Sequence, residues 1–311
     1  VHIPFCEAKC DYCAFYSIPD SSPELRQKYL LRLEEEFSQQ HSQCLPMRSI
    51  FLGGGTPSSL SVAELTRLLT LIRTWFRLLP DCEFSMEANP NSLTAEKLHV
   101  ATEFGVNRIS LGVQSFNPKT RKILGRKGNL DNLQELHARI KENTALRLNL
   151  DLIFNVPGQT LQEWEEDLKL ACAMTPDHLS TYSLMFEDGT PLTQRMPAIG
   201  DDEEFCAFWE TTDQILNAHG LFRYEISNFA REDKVCRHNF EIWHGQTCLG
   251  CGPTAVSFNG INRPANPQTL EDWLNHAPQI DDILPPEKRA AEILAFGLRT
   301  TAGWKCKDFK Q

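Results

Sequence analysis

Val1-His2-Ile3-Pro4-Phe5-Cys6-Glu7-Ala8-Lys9-Cys10-Asp11-Tyr12-Cys13 opens the chain and decides how the rest is read. Three thiols stand at the spacing C-x3-C-x2-C, framed by the rings of Phe5, Tyr12, Phe15 and Tyr16. Cysteine thiolates hold iron–sulfur clusters, and close spacing on one loop lets them grip different corners of a cube. Three ligands for four irons leave one iron open to a substrate or cofactor. Structural zinc is the nearest rival; it takes four protein ligands, usually in two pairs, and His2 could complete a Cys3His set. A disulfide fits poorly, because three cysteines cannot all pair among themselves. Three unconnected buried thiols are the plain alternative.

The chain has 311 residues, a formal net charge of −10 and 41% hydrophobic residues, enough for a sizeable core in one α/β unit. The acidic balance argues against wholesale nucleic-acid binding. No apolar run reaches the length of about eighteen residues that a membrane span needs. No signal peptide is expected before the cysteine loop, and eleven cysteines without tandem disulfide spacing fit a reducing compartment. A cytoplasmic protein, or one peripheral to a membrane, is expected. Because the sequence starts inside a strand, upstream residues are also expected.

Outward from the cysteine loop, strand and helix signals alternate. Val1 to Ile3 read as the end of a strand closed by Pro4, and Ser22-Pro23-Glu24 opens a helix striped by Tyr29, Leu30, Leu33 and Phe37. Glu34-Glu35-Glu36 are expected mostly on its wet side. Further strands are read at 49–52, 83–87, 107–116, 148–154 and 178–185, with helices after Ser61 and Thr94, near 129–142, and from Pro157 to about 174. Six strand–helix units with short, right-handed connections imply a partial (β/α)6 parallel barrel in an α/β fold. No GxGxxG follows the first strand, which excludes a Rossmann dinucleotide site. From about residue 186 the pattern changes to an α+β extension: Asp201-Asp202-Glu203-Glu204 start a helix, and Phe222 to Ile226 read as a strand. The expected division is 1–190, 191–285 and 286–311.

Several residues on this frame could carry chemistry. Gly53-Gly54-Gly55-Thr56-Pro57-Ser58 ends a strand and can present amides to a ligand, or be no more than a tight turn. Glu87 stands at the carboxyl end of the parallel strand read over 83–87, where barrels bind ligands and where acids also cap helices. Asp151 interrupts an apolar run, so it is either hydrogen-bonded structurally or turned to a cavity. Arg126 alone reads as a surface cation. His238, near Trp243, reads as a locally satisfied loop histidine or a proton-transfer group. Cys248 and Cys251 form a C-x2-C and read as small buried hydrophobes rather than metal ligands.

The run HIPFCEAKCDYCAF resembles the cluster-binding loop of radical S-adenosylmethionine (SAM) enzymes, in the family that joins the haem chaperone HemW to oxygen-independent coproporphyrinogen III oxidase. GGGTPS, GVQSF and LGR match that family's SAM motifs, and YEISNFAR followed by His238-Asn239 and Trp243 matches the chaperone branch's H-N-x-x-Y-W, with Ile242 in place of Tyr. The resemblance implies that Cys6, Cys10 and Cys13 hold a [4Fe–4S] cluster. It implies SAM contacts from Tyr12, Gly54, Gly55, Thr56, Glu87, Gln114, Arg126 and Asp151, backbone contact to the adenine near Met185, and haem contact at His238. It assigns no catalytic residue. The implied function is a radical SAM haem chaperone with a haem-accepting partner and an electron donor such as a flavodoxin or ferredoxin. The alternatives are the oxidase, against which Ala14 stands where that branch has another Cys, and a non-catalytic haem carrier. The chain is expected to stop where a small C-terminal helical domain begins.

Overall fold

The computed structural model describes residues 1–196, 202–305 and 307. Asp201 and residues 308–311, which the sequence reading assigned to a helix start and a terminal domain, lie outside the described residues.

The first strand, β1 (His2–Ile3), leads into the cysteine loop, which carries a two-residue pair of its own, β2 (Phe5–Cys6) and β3 (Ile18–Pro19). Five strand-and-helix steps follow: α1 (Pro23–Gln40), β4 (Met47–Gly54), α2 (Val62–Trp75), β5 (Leu78–Ala88), α3 (Ala95–Glu103), β6 (Arg108–Gln114), α4 (Pro118–Ile123), α5 (Leu133–Glu142), β7 (Arg147–Phe154), α6 (Leu161–Ala173) and β8 (His178–Ser183). Ser22, Ser61, Thr94 and Thr160 cap their helices as their types predict, the second and fourth through full capping boxes with Glu64 and Glu163.

β1, β4, β5, β6, β7 and β8 lie side by side in chain order and pair parallel throughout. This is the expected six-stranded partial barrel. The sheet runs on through β10 (Asn228–Ala230) to β9 (Phe222–Arg223), both antiparallel, and among the described residues its edges β1 and β9 do not meet. Between β8 and β9 lie α7 (Pro191–Arg195) and α8 (Asp202–Ala218); after β10 come α9 (Arg237–Trp243), α10 (Leu270–Leu274) and α11 (Pro286–Gly297).

Alternation along β7 divides the molecule. Leu148, Leu150 and Leu152 are fully buried against the helices, while Asn149, Asp151 and Ile153 face a cavity inside the curve of the sheet. An outer apolar shell thus carries the stability, and the inside is free to be polar.

Three expectations need correction. The strand expected over 222–226 stops at Arg223, and the chain returns as a separate strand over Asn228–Ala230. The segment with His238 is the helix α9, not a loop. Glu36 is buried: its carboxylate accepts from the Gly252 amide at 2.8 Å and from Asn266 Nδ2 at 2.7 Å, fastening α1 to the 250–266 loop. Tyr29, Leu33 and Glu36 share one helical face, so the acid belongs to the inward stripe.

Glu36→Ala strips partners from two donors buried with it and is expected to cost about 2–4 kcal/mol in urea unfolding. Leu31→Ala, on the same helix but 53% exposed, is expected to cost less than about 1 kcal/mol.

Candidate cluster and cofactor site

The cysteine loop is hung on the glycine turn. Gly55 N–H donates to Ile3 O at 2.9 Å and Thr56 N–H to Phe5 O at 2.7 Å. A Cβ on Gly54, whose φ is +100°, would stand 1.7 Å from the His2 ring, and one on Gly55 would stand 2.5 Å from Ile3 O. Only glycine allows this approach. The loop's far side is tied by Asp11, which pairs with Arg195 at 2.6 Å and whose backbone bonds Leu124 and Leu192.

A cavity of about 580 Å³ opens beneath the loop at the carboxyl ends of the parallel strands. Cys6, Cys10, Cys13 and Tyr12 line its upper wall, and Gly54, Gly55 and Thr56 one side. Glu87 on β5, Gln114 on β6, Asp151 on β7 and Met185 after β8 line it as well, with Arg126 beside the cysteines. Thus every site residue named from the sequence except His238 faces one space.

Cys6 Sγ lies 3.5 Å from Thr56 Oγ1, and Arg126 Nη1 lies 3.5 Å from Cys10 Sγ. Burial pushes the Cys6 and Cys13 thiols up, so as bare groups they stay protonated; a metal centre's positive charge is what would make them thiolates. His2 is not free to complete a Cys3His zinc set. His2 spends Nδ1 on Pro253 O and on Thr254 Oγ1 at 2.8 Å, and Nε2 on Tyr16 O at 3.1 Å. Among the described residues no three His, Cys, Asp or Glu groups converge as a single ion requires. Thiolates on separate corners of a cube need not converge.

The rest of the wall suits a zwitterionic ligand. Arg126 bonds the Gly112 carbonyl through Nη2, yet its buried Nε has no partner, a free donor for a carboxylate. Glu87 accepts the Gly54 amide at 3.1 Å; burial, with Asp151 nearby, pushes its carboxyl up to about 8. Burial also raises Asp151, against hydrogen bonds from Ser110 Oγ and Asn149 Nδ2, each at 2.8 Å. Gln114 holds φ +67°, a left-handed turn at a non-glycine, where the β6–β7 register shifts. Met185, 69% exposed, and Phe15, 71% exposed, form the rim.

The sequence reading missed a polar ladder below Asp151. Asn149 reaches Ser110 and Ser180; its Oδ1 meets His178 Nδ1 at 2.6 Å, and His178 Nε2 meets Tyr224 OH at 2.8 Å. Period-two alternation of polar residues in Asn149-Leu150-Asp151 and His178-Leu179-Ser180 is the signal that could have found it.

His238 stands apart from the cavity. Its ring stacks on Phe51 at 5.0 Å between centroids, its Nδ1 lies 3.4 Å from Ser49 Oγ, and burial pushes its pKa down to about 4. Trp243, expected beside it, packs instead against Phe296 and Arg299. Cys236 and Asn239, on either side of His238, do line the cavity. Cys251 is buried, with its thiol pushed up by burial, and Cys248 is partly buried.

The family model described as Radical SAM superfamily matches residues 1–171. The chain is 33% identical to the heme chaperone HemW of Bacillus subtilis, over 100% of this chain and 85% of that protein. It is 36% identical to the heme chaperone HemW of Escherichia coli, over 81% and 67% of the two chains. A mitochondrial relative in Danio rerio, radical S-adenosyl methionine domain-containing protein 1, is 32% identical over 97% of this chain and 72% of its own. Among solved structures, the Escherichia coli coproporphyrinogen III oxidase shares the fold with a TM-score of 0.84 at 23% identity, covering 93% of this chain and 72% of that one.

Glu87 carries a pH prediction. Its carboxyl loses its proton near 4.5 in the unfolded chain and near 8 in the folded one, so the unfolded state gains as pH rises between these values. Stability of the metal-free protein is expected to fall across that window, and Glu87→Gln to flatten the fall in chemical unfolding at stepped pH.

Proposed function

Because the chain belongs to the radical SAM superfamily, we propose that it holds a [4Fe–4S] cluster on Cys6, Cys10 and Cys13, binds SAM beside it, and acts as a heme chaperone that delivers haem to a recipient protein. The observation that carries this is the meeting of three thiols, a glycine turn, two half-buried acids and an unsatisfied guanidinium nitrogen around one cavity. The named chaperones among its relatives support the haem-delivering half.

When bound, the cluster and SAM supply one-electron chemistry at a carbon–sulfur bond. The chain's own residues do the holding. Arg126 Nε bonds the SAM carboxylate, and the turn Gly54-Gly55-Thr56 with Glu87 receives the amino group. Gln114 and Asp151 take the ribose hydroxyls, and the backbone near Met185 borders the adenine. Tyr12 contacts SAM from the cysteine loop. His238 is the candidate haem contact: its low pKa keeps the imidazole neutral, as an iron ligand must be. Phe51 separates it from the cavity, so haem and SAM would occupy different places. The partners that follow are a haem-accepting protein and a flavodoxin- or ferredoxin-type electron donor. No described helix is long and apolar enough to cross a membrane, and the cytoplasm is the proposed location.

Anaerobic reconstitution with iron and sulfide is expected to load about four irons per chain. The loaded protein should then take up haem stably and leave coproporphyrinogen III unchanged. Protoporphyrinogen formation would replace the chaperone reading with the oxidase, and stoichiometric zinc without iron would remove both. His238→Ala is expected to weaken haem binding by about tenfold or more in an absorbance titration; an unchanged affinity would eliminate it as a ligand.

A further inference from the structure

The cavity has a second end that none of the cofactor contacts use. Arg108 opens β6, four residues before Gly112, whose carbonyl holds Arg126; along a strand this places the Arg108 and Gly112 backbones about 13 Å apart. Arg108 is 2% exposed, and its Nε and Nη2 both bond Glu83 Oε2, at 3.2 and 3.0 Å. Nη2 also donates to the carbonyls of Lys234 and Val235. Its Nη1 is buried without a partner, and the residue lines the cavity. Ser85, the register partner of Arg108 on β5, is fully buried and has an unpartnered hydroxyl too. Asn239 completes the wall.

The charge of this corner is positive. Arg108 and Arg147 share a single carboxylate, Glu83, at 3.0 and 3.5 Å. The other titratable walls are neutral: burial pushes the Cys236 thiol up to about 12 and holds His178 well below its ordinary value. An unpaired buried donor on a cation costs more than a neutral one, and a carboxylate is its natural partner. A lone water would satisfy the donor but not the charge.

We propose that the inner end of the cavity is a carboxylate-binding subsite, in which Arg108 Nη1 and the Asn239 side-chain amide receive one end of an organic acid. The rest of the ligand extends along β6 and β7 toward Asp151. If the cofactor reading above holds, that axis points the acid's carbon chain at bound SAM, and this last step alone rests on that reading.

The test uses the full chain without metal, melted in sodium propionate or in neutral propionamide at fixed ionic strength. Propionate is expected to raise the melting temperature with a saturating dependence, and propionamide not to. Asn239→Asp, which supplies Arg108 with an internal carboxylate, should raise the apparent propionate dissociation constant at least about tenfold. Glu83→Gln with Arg108→Gln, which removes both charges so that neither is left buried alone, should do the same. Arg126→Gln should keep the shift. Equal shifts from the two probes, a shift that survives Asn239→Asp, or one lost in Arg126→Gln would overturn the proposal; the last would return the acid to the SAM end. Competition by haem but not by haem dimethyl ester would support the subsite and identify tetrapyrrole carboxylates as its source. Competition by neither supports a smaller acid, and competition by the ester would overturn the carboxylate requirement. None of these readings needs the cluster, so a failure of reconstitution leaves them intact.

Discussion

Backbone hydrogen bonds between the first strand and the glycine turn hold the functional half of the molecule in place. Gly53 N–H donates to Val1 O at 3.1 Å, followed by Gly55 to Ile3 and Thr56 to Phe5. On the other side His2 N–H reaches Cys251 O at 2.8 Å, and Tyr29 OH reaches His2 O at 2.8 Å. The strand is thereby clamped between the sheet and a later loop, although it is only two residues long. A short edge strand would not survive alone. The clamp lets the cysteine loop be fixed at the mouth without regular structure of its own beyond the small β2–β3 pair.

An open sheet allows what a closed barrel would not. Closed eight-stranded barrels fill their interior with branched apolar side chains. Here the inside carries Glu87, Asp151, Asn149, His178 and Arg108, and stability comes from the leucines turned outward onto the helices. Buried polar groups are costly unless bonded, and most of these are bonded to one another. Among the cavity's lining residues, Arg126 Nε, Arg108 Nη1 and Ser17 Oγ are buried without a partner.

The frame was legible because each parallel strand is short, apolar and followed by a capped helix, and because the motif residues fall at strand ends. The cysteine spacing and the GGGTPS turn marked the site before any fold was known. What stayed hidden depends on partners distant in sequence. Glu36 looked solvated within an acid run, but its partners Gly252 and Asn266 lie more than two hundred residues away. Tyr224 OH on His178 is likewise a contact that no local pattern encodes. The stop at Arg223 and the return at Asn228–Ala230 were missed because the break coincides with Ser227 N–H bonding Glu225, with no Gly or Pro to signal it. His238 was grouped with the site by likeness, and Phe51 stands between it and the cavity.

Cys6, Cys10 and Cys13 are proposed to hold a cube by three corners and leave the fourth free beside the glycine turn. Mössbauer spectroscopy of the iron-57 reconstituted protein, before and after SAM, addresses that directly. The expected result is that about one iron in four changes its isomer shift when SAM is added, while the others stay as they were. Four irons that do not respond to SAM would contradict it.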